Sequence, residues 1–358
     1  MSYRALFTAD LHMSNKLPYA KPTSDGLTDR FEDQLGLWKR IVKGAKDTGC
    51  EAIWILGDLF DQPRADPITL TYVVHMIRTC PLPVYIIPGN HEGVTVKGEY
   101  FLVEVFKEIG REDVHVLWRD PLSMPGYTFW PMPYAPIETT SAWLKETSKQ
   151  LHPETHNVLL LHNSVMGARH LGWACDVGLQ PDELEAFDSV LAGHFHNPQV
   201  IDHIQYLGAP MHHSFADAGR DAGYWVFEFR NGGIVSNSFG AGAPRFHLLE
   251  DLSDDLSEVG IGDYLRYKIR ATHADWARIK PKAKAKCDGL IAKGIRADYK
   301  QEPVYQHKVR LDPDEKETTI LSMDRALGQY VDAMEVDTGK LNPKRLKVLG
   351  REMLAEVK

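Results

Sequence analysis

Short apolar runs punctuate the first two thirds of the chain, and each of them stops at polar residues. Five such runs are RALFTADLH, AIWILGDLF, VYIIPGNH, NVLLLHNS and SVLAGHFH, at residues 4–12, 52–60, 84–91, 157–164 and 189–196. Runs of this length, bounded by glycine, proline or polar residues, are typical of buried strands. A further run, YWVFEF, predicts a strand at residues 224–229.

Two segments between these runs have helical periodicity. The first has apolar residues at spacings of three and four, namely Phe31, Leu35, Trp38, Val42 and Ala45. Asp29 and Glu32 predict a capping box at the start of this helix, and a second helix is predicted near residues 67–79. Strands that alternate with helices predict a layered α/β fold.

The pattern changes after an acidic stretch broken by glycine at residues 245–260. From there DYLRYKIR alternates, which predicts a strand with an apolar face and a basic face. A helix rich in lysine and alanine is predicted over about 274–293, and strands near 296–300 and 304–311. This part is therefore expected to be a small α+β unit, followed from about residue 318 by two amphipathic helices.

Composition indicates a sizeable core, and the charge is distributed unevenly along the chain. The 358 residues are 43% hydrophobic, enough for a sizeable core, and the chain is longer than most single domains. The net charge is −8, yet residues 266–310 hold 13 Lys and Arg against 4 Asp and Glu. An acidic body with a basic appendage is the charge asymmetry that needs a functional explanation.

Features of localisation and redox chemistry point to the cytoplasm. No apolar stretch is long enough to span a bilayer, and the N-terminus lacks the layout of a signal peptide. The four cysteines are Cys50, Cys80, Cys175 and Cys287. They are far apart with no C-x-x-C spacing, which excludes a disulfide framework or a zinc ribbon, and each is expected to be a buried packing residue.

Potential metal ligands follow the apolar runs at the points where the predicted strands end. The set comprises Asp10, His12, Asp58, Asn90, His162, His194 and His196. His194 and His196 are two residues apart, so on a strand they would project from the same face. Because sites in open α/β sheets form outside the carboxyl ends of the strands, these side chains are expected to lie together.

The composition of this set favours two cations over one. Two carboxylates, four imidazoles and an amide exceed what one cation takes, whereas two cations that share a carboxylate can use them all. Nitrogen and oxygen ligands without thiolate favour Mn, Fe or Zn. Paired metals about 3.5–4 Å apart are suited to in-line displacement at phosphorus.

An ordered series of motifs carries a family resemblance. DLH, GDLFD, GNHE, a lone His and GHFH, over residues 8–196, resemble the signature of the calcineurin-like metallophosphoesterases. The finer resemblance is to the SbcD-type repair nucleases, in their compact phage-like form, through GDLFDQPRADP and residues 179–229. It implies an α/β fold with a layered β-sandwich core flanked by helices, a small α+β capping domain and C-terminal helices. The expected limits are 1–250, 260–312 and 318–358.

The resemblance also implies a role for each site residue. One cation would be held by Asp10, His12 and His196, the other by Asn90, His162 and His194, with Asp58 bridging. His91 would face the scissile phosphate and help to protonate the leaving oxygen; the alternative is a packing histidine or one that orients a ligand. Asp61 stands where some relatives have a second substrate-facing histidine, and is either catalytic or an acceptor that orients a ligand.

Three residues near these motifs leave their roles open. GNHE has Glu92 where relatives usually have aspartate, and little effect is expected because Glu92 would lie behind the ligands. His212 and His213 follow a predicted strand and could reach the substrate. Packed or solvated positions are the favoured interpretation for both.

The function implied by the resemblance is a DNA nuclease, exonucleolytic and endonucleolytic, that uses two Mn²⁺ ions. It would act on duplex ends and single strands in repair or recombination, together with an SbcC-like ATPase. The basic unit would bind the phosphate backbone, the terminal helices would bind the ATPase or pack on the body, and the family also forms homodimers. The alternatives are a small-substrate phosphatase or cyclic-nucleotide phosphodiesterase, and a non-catalytic scaffold that tethers DNA ends.

Overall fold

The computed structural model describes residues 2–23, 25–94, 100–170, 173–230 and 233–304. The helices are α1 Asp29–Asp47, α2 Pro67–Arg78, α3 Ile137–Thr147 and α4 His273–Ile291. The strands are β1 Tyr3–Thr8, β2 Ala52–Leu56, β3 Val84–Ile87, β4 Val114–Val116, β5 Leu122–Met124, β6 Tyr127–Met132, β7 His156–His162, β8 Arg169–His170, β9 Trp173–Ala174, β10 Ser189–Gly193, β11 Gln199–Ile201, β12 Ile204–Tyr206, β13 Gly223–Arg230, β14 Gly233–Gly240, β15 Phe246–Leu249, β16 Tyr264–Ala271 and β17 Arg296–Pro303. The predicted strand at 304–311 and the helices beyond 318 fall outside the described residues.

Two six-stranded sheets form the body of the molecule. The first has the order β14-β13-β1-β2-β3-β4, in which β1 to β4 are parallel. The second has the order β11-β12-β10-β7-β6-β5, with β6, β7, β10 and β12 parallel. Parallel neighbours end at the same sheet edge, so the polar residues that follow each strand are gathered there.

A shared apolar core joins the two sheets face to face. Phe7 and Trp54 from the first sheet pack with Phe129 and Leu160 from the second. The outer face of the first sheet packs against α1 and α2 through a separate set that includes Leu6 and Ile53. Both faces of β1 and β2 are therefore buried, which is why their sequences are continuous apolar runs. The predicted layered sandwich flanked by helices is confirmed.

The start of α1 differs from the prediction by one residue. Thr28 is the N-cap, and its side chain accepts a hydrogen bond from the Phe31 N–H. The predicted capping box of Asp29 and Glu32 is wrong, because Asp29 is already in the first turn and Glu32 accepts a hydrogen bond from the Thr23 hydroxyl. The second helix begins and ends close to its predicted limits.

The basic part of the chain forms a third, parallel sheet of β15, β16 and β17 covered by α4. Leu265, Tyr267 and Ile269 pack against Cys287 and Leu290 of α4, so the apolar face predicted for DYLRYKIR is the buried one. β15 lies within the stretch 245–260, which was expected to separate the two parts of the chain, and it pairs with β16. Residues 1–304 form one compact unit that contains all three sheets.

None of the helices in the described ranges is long and apolar enough to cross a membrane.

Candidate metal centre

The loops after β1 and β2 run side by side beyond the sheet edge. The Asp10 N–H donates to the Gly57 carbonyl at 3.0 Å, and the His12 N–H donates to the Asp58 carbonyl at 2.9 Å. Asp10, His12 and Asp58 all have positive φ, as does His194. The left-handed region is rare for residues with side chains, and such conformations cluster where a site needs a particular aim of the side chain.

One cluster of donors lies at the ends of β3, β7 and β10. His194 Nδ1 is 3.0 Å from Asn90 Oδ1, and His162 Nε2 is 3.2 Å from the same oxygen. His162 Nε2 is also 3.2 Å from Asp58 Oδ2. These are the donors that the resemblance assigns to one cation.

A second cluster is adjacent to the first. His12 Nε2 is 3.2 Å from His196 Nε2 and 3.8 Å from Asp58 Oδ2. Donor atoms of Asp10, His12 and Asp58 lie within 4.8 Å of one another. Asp58 therefore belongs to both clusters, in the place of a bridging carboxylate. The structure brings all seven predicted ligands together.

Partners on the far side of each ring decide which nitrogen faces the cluster. His12 Nδ1 lies 3.4 Å from Asp61 Oδ1, and His196 Nδ1 lies 3.6 Å from Asp217 Oδ1. A carboxylate beside each Nδ1 favours the proton on that nitrogen, although His12 Nδ1 makes no hydrogen bond, and the two Nε2 atoms are the ones that face each other. A cation between two facing lone pairs satisfies both, so the donor set fits a metal ion.

His162 shows the same arrangement in the first cluster. Its Nδ1 is 2.7 Å from the Leu56 carbonyl, which leaves Nε2 to face the oxygens of Asp58 and Asn90. Burial alone lowers the pKa of His162, but the charges of Asp58 and Asp10 outweigh it and raise the pKa to about 9. The position between these oxygens thus favours positive charge, which a metal ion also supplies.

Burial dominates the electrostatics of Asp10 and His194, whose pKa values shift in the direction that burial favours. Burial raises the pKa of the Asp10 carboxyl. Burial, together with neighbouring His162, lowers the pKa of His194 to about 3, so this imidazole is neutral. Neutral imidazole is the form that binds metal ions.

Two glycines allow the close approach of these elements. A Cβ on Gly57 would lie 2.0 Å from His162 Nδ1, and a Cβ on Gly89 would lie 2.2 Å from Asp58 Oδ1. Gly57 also has φ of 89°. The glycines of GD and GN are therefore required by packing against ligand side chains as well as by backbone conformation.

Glu92 lies behind the ligands, as expected from its position in GNHE. It is fully buried and accepts hydrogen bonds from the backbone N–H groups of Asp58, Phe60 and Gly89. Burial and the nearby Asp58 raise the pKa of Glu92 to about 8. Its carboxyl group ties the loop after β2 to the loop after β3.

His91 is placed beside the metal ligands with one ring nitrogen fixed. Its Nδ1 donates to the Asp61 carbonyl at 2.8 Å, and its backbone N–H donates to Asp58 Oδ1 at 2.9 Å. Its ring centroid is 4.5 Å from that of His12. Asp61 therefore positions His91 through its carbonyl, while its carboxylate lies 3.4 Å from His12 Nδ1 without a hydrogen bond.

An open pocket of about 570 Å³ leads to this centre. Its lining includes Asp58, Asn90, His91, His194 and His196 on one side and residues 173–176 on the other. Cys175 lies in this wall and is half-buried, so its predicted role as a buried packing residue is wrong, whereas the other three cysteines are buried.

The sequence did not predict where two residues of the segment HHSFADAG lie, namely Asp217 and His213. Asp217 faces His196 and also accepts from the His213 backbone N–H at 2.9 Å. His213 packs on His12 and His196, with ring centroids 4.7 and 4.8 Å away. The only sequence signal was the motif itself, which did not show what its residues contact.

Paired donor clusters that share one carboxylate, at the joint edge of two sheets, define a metal-dependent phosphoester hydrolase. The chain belongs to the calcineurin-like phosphoesterase family, whose model matches residues 3–198. Members of this family depend on two metal ions, as the shared position of Asp58 leads one to expect.

Solved structures resemble this chain at low identity. A dimetal phosphatase from Danio rerio is 12% identical, over 67% of this chain and 97% of that chain, with a TM-score of 0.45. A protein of Thermus thermophilus, TT1561, is 13% identical over 66% and 99% of the two chains, with a TM-score of 0.42. An archaeal phosphodiesterase is 10% identical over 66% and 99%, with a TM-score of 0.34.

Proposed function

We propose that this protein is a two-metal DNA nuclease that hydrolyses phosphodiester bonds with Mn²⁺ and works with an SbcC-like ATPase in DNA end processing. The observation that carries the proposal is a module of β15–β17 with α4, in which residues 264–303 hold 11 Lys and Arg against 4 Asp and Glu, fixed directly to the loop that bears His213 and Asp217. A small-substrate phosphoesterase has no need of such a module beside its metal centre.

Arg30 of α1 is the main link between the module and the body. Its guanidinium lies over the rings of Phe246 and Tyr264, 4.9 and 5.1 Å from their centroids. It also donates to the His212 carbonyl at 3.1 Å. Arg30 is fully buried, so the contact is part of the packed interior and the module is held in a fixed position.

Two further contacts hold the module at its edges. Arg296 of β17 pairs with Asp29 at 3.1 Å and with Asp33 at 2.6 Å, both on α1. Arg266 of β16 lies over the Phe215 ring at 4.1 Å. Phe215 belongs to the same loop as His213, so the module contacts the sheet edge where the metal centre is built.

The basic residues of α4 divide into two rows. Ala283, Cys287 and Leu290 form the buried face of the helix. On one flank Arg278, Lys282 and Lys286 follow one another at four-residue spacing, which we call the basic row; Arg278 pairs with Asp275, so Lys282 and Lys286 are its two unpaired cations among the described residues. On the other flank Lys280 and Lys284 lead to Asp288, and Lys284 Nζ is 2.5 Å from that carboxylate. This second row, the mixed row, is partly neutralised.

The basic row is expected to contact the DNA backbone. The double variant Lys282→Gln/Lys286→Gln should weaken binding of a duplex oligonucleotide. The slope of log K against log salt should fall by about 0.9 for each phosphate contact that is lost. The matched control Lys280→Gln/Lys284→Gln removes the same charge from the mixed row and should have the smaller effect. Equal effects, or an unchanged salt slope in the first variant, would contradict this assignment.

An exposed tryptophan lines the same pocket as the metal ligands. Trp173 is 80% exposed and lines the pocket together with the ligand residues. Its strand pair is anchored to the start of β11, because the Gln199 side chain accepts from the Arg169 N–H at 2.6 Å and donates to the Arg169 carbonyl at 2.9 Å. The metal ligands would bind a phosphodiester, and the indole of Trp173 would stack on a nucleobase of the same strand.

Trp173→Ala is expected to weaken cleavage of single-stranded oligonucleotides through KM. Stacking on one base contributes about 1–3 kcal/mol, so KM should rise about 5- to 100-fold. Hydrolysis of bis(4-nitrophenyl) phosphate should change much less, and Trp173→Phe should restore most of the lost affinity for oligonucleotides. A KM for oligonucleotides that is unchanged in Trp173→Ala would remove the indole from the substrate site.

The proposed reaction uses the chain's own groups to place and move protons. Bound divalent ions would stabilise charge on the phosphoryl oxygens and lower the pKa of a bound water. Asp58, Asp10 and the four ligand imidazoles would hold those ions. His91 has its Nδ1 occupied by the Asp61 carbonyl, so its Nε2 is the nitrogen left to deliver a proton to the leaving oxygen.

The second candidate is a small-substrate phosphatase or cyclic-nucleotide phosphodiesterase. The pocket volume of about 570 Å³ is large enough for a nucleotide-sized ester, which supports this second candidate. The deciding experiment compares linear duplex DNA, single-stranded DNA and a small aryl phosphodiester, each with Mn²⁺, Mg²⁺ or EDTA. Mn²⁺-dependent DNA degradation supports the nuclease. Hydrolysis of the small ester alone supports the second candidate, and DNA binding without hydrolysis of any ester supports a tethering scaffold.

The ATPase partner and the homodimer rest on the family resemblance. The helices predicted beyond residue 318 are the segment that would bind the ATPase, and they lie outside the described residues. The identity of Mn²⁺ as the native ion rests on the nitrogen and oxygen donors, which suit several transition metals.

A further inference from the structure

We propose that His213 is a further ligand of the cation held by His12 and His196. The proposal rests on the two-metal centre and is independent of the nature of the substrate. His213 lies in the loop between β12 and β13, and its ring packs on both of those histidines. A ring nitrogen of His213 and donor atoms of His12 and His196 lie within 4.8 Å of one another.

Hydrogen bonding determines which nitrogen of His213 can act as the ligand. Nε2 is 2.9 Å from the backbone carbonyl of Asp10. A carbonyl only accepts, so Nε2 carries the proton and Nδ1 has a free lone pair. Nδ1 is buried and has no hydrogen-bond partner among the described residues. Carbonyl groups that fix one imidazole nitrogen while the other binds a metal are a common arrangement around metal sites.

The neighbouring His212 shows what a purely structural histidine looks like in this loop. Its Nε2 donates to the Arg220 carbonyl at 2.9 Å, and its Nδ1 accepts from the Phe246 N–H at 3.0 Å. Both nitrogens of His212 are satisfied by the protein. His213 satisfies only one, although it is one residue away, so packing alone does not account for its second nitrogen.

The carboxylate of Asp217 contacts both His213 and the ligand His196. Asp217 accepts from the His213 backbone N–H through Oδ2 at 2.9 Å, while its Oδ1 lies 3.6 Å from His196 Nδ1. Arg220 also donates to Oδ1 of this carboxylate, at 3.4 Å. The two imidazoles are therefore fixed as a pair before any ion binds.

The consequence is an unequal pair of metal positions. The His12 position would have three imidazoles in addition to Asp10 and the shared Asp58. The other would have two imidazoles, Asn90 and the shared carboxylate. More imidazole ligands favour ions late in the first transition series and slow their release. The His12 position is therefore expected to fill first, and the Asn90 position to exchange more readily.

The test is a titration of metal-stripped protein with Co²⁺, followed by calorimetry and by visible absorption of the bound ion. His213→Leu should lower the affinity of the tighter site about 10- to 100-fold and alter the absorption of the first ion. The weaker site should be unchanged. The matched control His194→Leu should weaken the second binding event and leave the first intact.

Stability in EDTA, measured by circular dichroism and thermal melting, separates a binding effect from a folding defect. The milder variant His213→Gln, which retains a polar side chain, provides the same comparison should His213→Leu fold poorly. Two binding events with wild-type affinities and absorption in a folded His213 variant would overturn the proposal. If the wild-type protein binds only one ion, the two-metal premise of the His213 proposal is wrong, whether or not DNA is cleaved.

Discussion

Replacement of Asp58 with alanine is expected to lower metal-dependent hydrolysis by about a thousandfold or more. Asp58 is the carboxylate common to both donor clusters, so its loss weakens both metal positions at once. Stabilisation of the phosphoryl charge by metal ions contributes several kcal/mol to such reactions, and each 1.36 kcal/mol is tenfold in rate. The measurements are the metal content after dialysis and the rate of hydrolysis of a small phosphodiester.

Two further variants test whether the loss of activity has a cause other than the loss of the Asp58 charge. Asp58→Asn keeps an oxygen that can accept from the His91 N–H, so it preserves the loop while it removes the charge. Asp47→Ala, at the exposed end of α1, removes an aspartate that pairs with Lys43 and should leave the rate unchanged. Full activity with two ions bound in Asp58→Ala would refute the bridging role of Asp58.

His91→Ser is expected to retain both metal ions and to lose about 10²- to 10⁴-fold in the rate of DNA cleavage, the range typical of general acid catalysis. His91 lies outside the cluster of Asp58, His162 and His194, and the Asp61 carbonyl occupies its Nδ1; because its donors also lie near those of His12 and Asp61, the metal content of the variant decides whether it is a ligand. Metal content and cleavage rate, measured on the same preparation, test it.

The leaving group makes the test of His91 sharper. A nitrophenolate leaves without protonation, whereas the alkoxide of a DNA strand needs a proton. His91→Ser should therefore lose less activity on an aryl diester than on DNA. His75→Ser, on the exposed side of α2, is the matched control. Loss of bound metal, or an equal loss on both substrates, would show that His91 is a ligand or a packing residue.

The strand ends could be predicted because local pattern and topology agree. Buried parallel strands are continuous apolar runs, and such strands end at a common edge, so Asp10, Asp58 and His162 were placed correctly without any contact being known. Hydrophobic periodicity along the chain does not predict contacts between residues of distant loops. Asp217 lies in a motif that carries no metal-ligand spacing, and its contact with His196 is made only by the fold.

The remaining differences have local causes. The strand β6, YTFWPM, contains Pro131 and was not recognised, although every one of its residues is buried. The lysines of α4 alternate with small residues in sequence, which suggests one basic surface, but 3.6 residues per turn separate them into two rows. The capping box was misplaced because Thr28 and Asp29 are both good N-cap residues.

Arg30 has a consequence for the inheritance of this chain. The buried guanidinium of Arg30 lies over the rings of Phe246 and Tyr264, and it would lose the Tyr264 ring if the chain ended near residue 250. The body would then have to hydrate or neutralise a cation in its own interior. Recombination between genes at this boundary would therefore be selected against, and the two parts should be passed on together as one evolutionary unit.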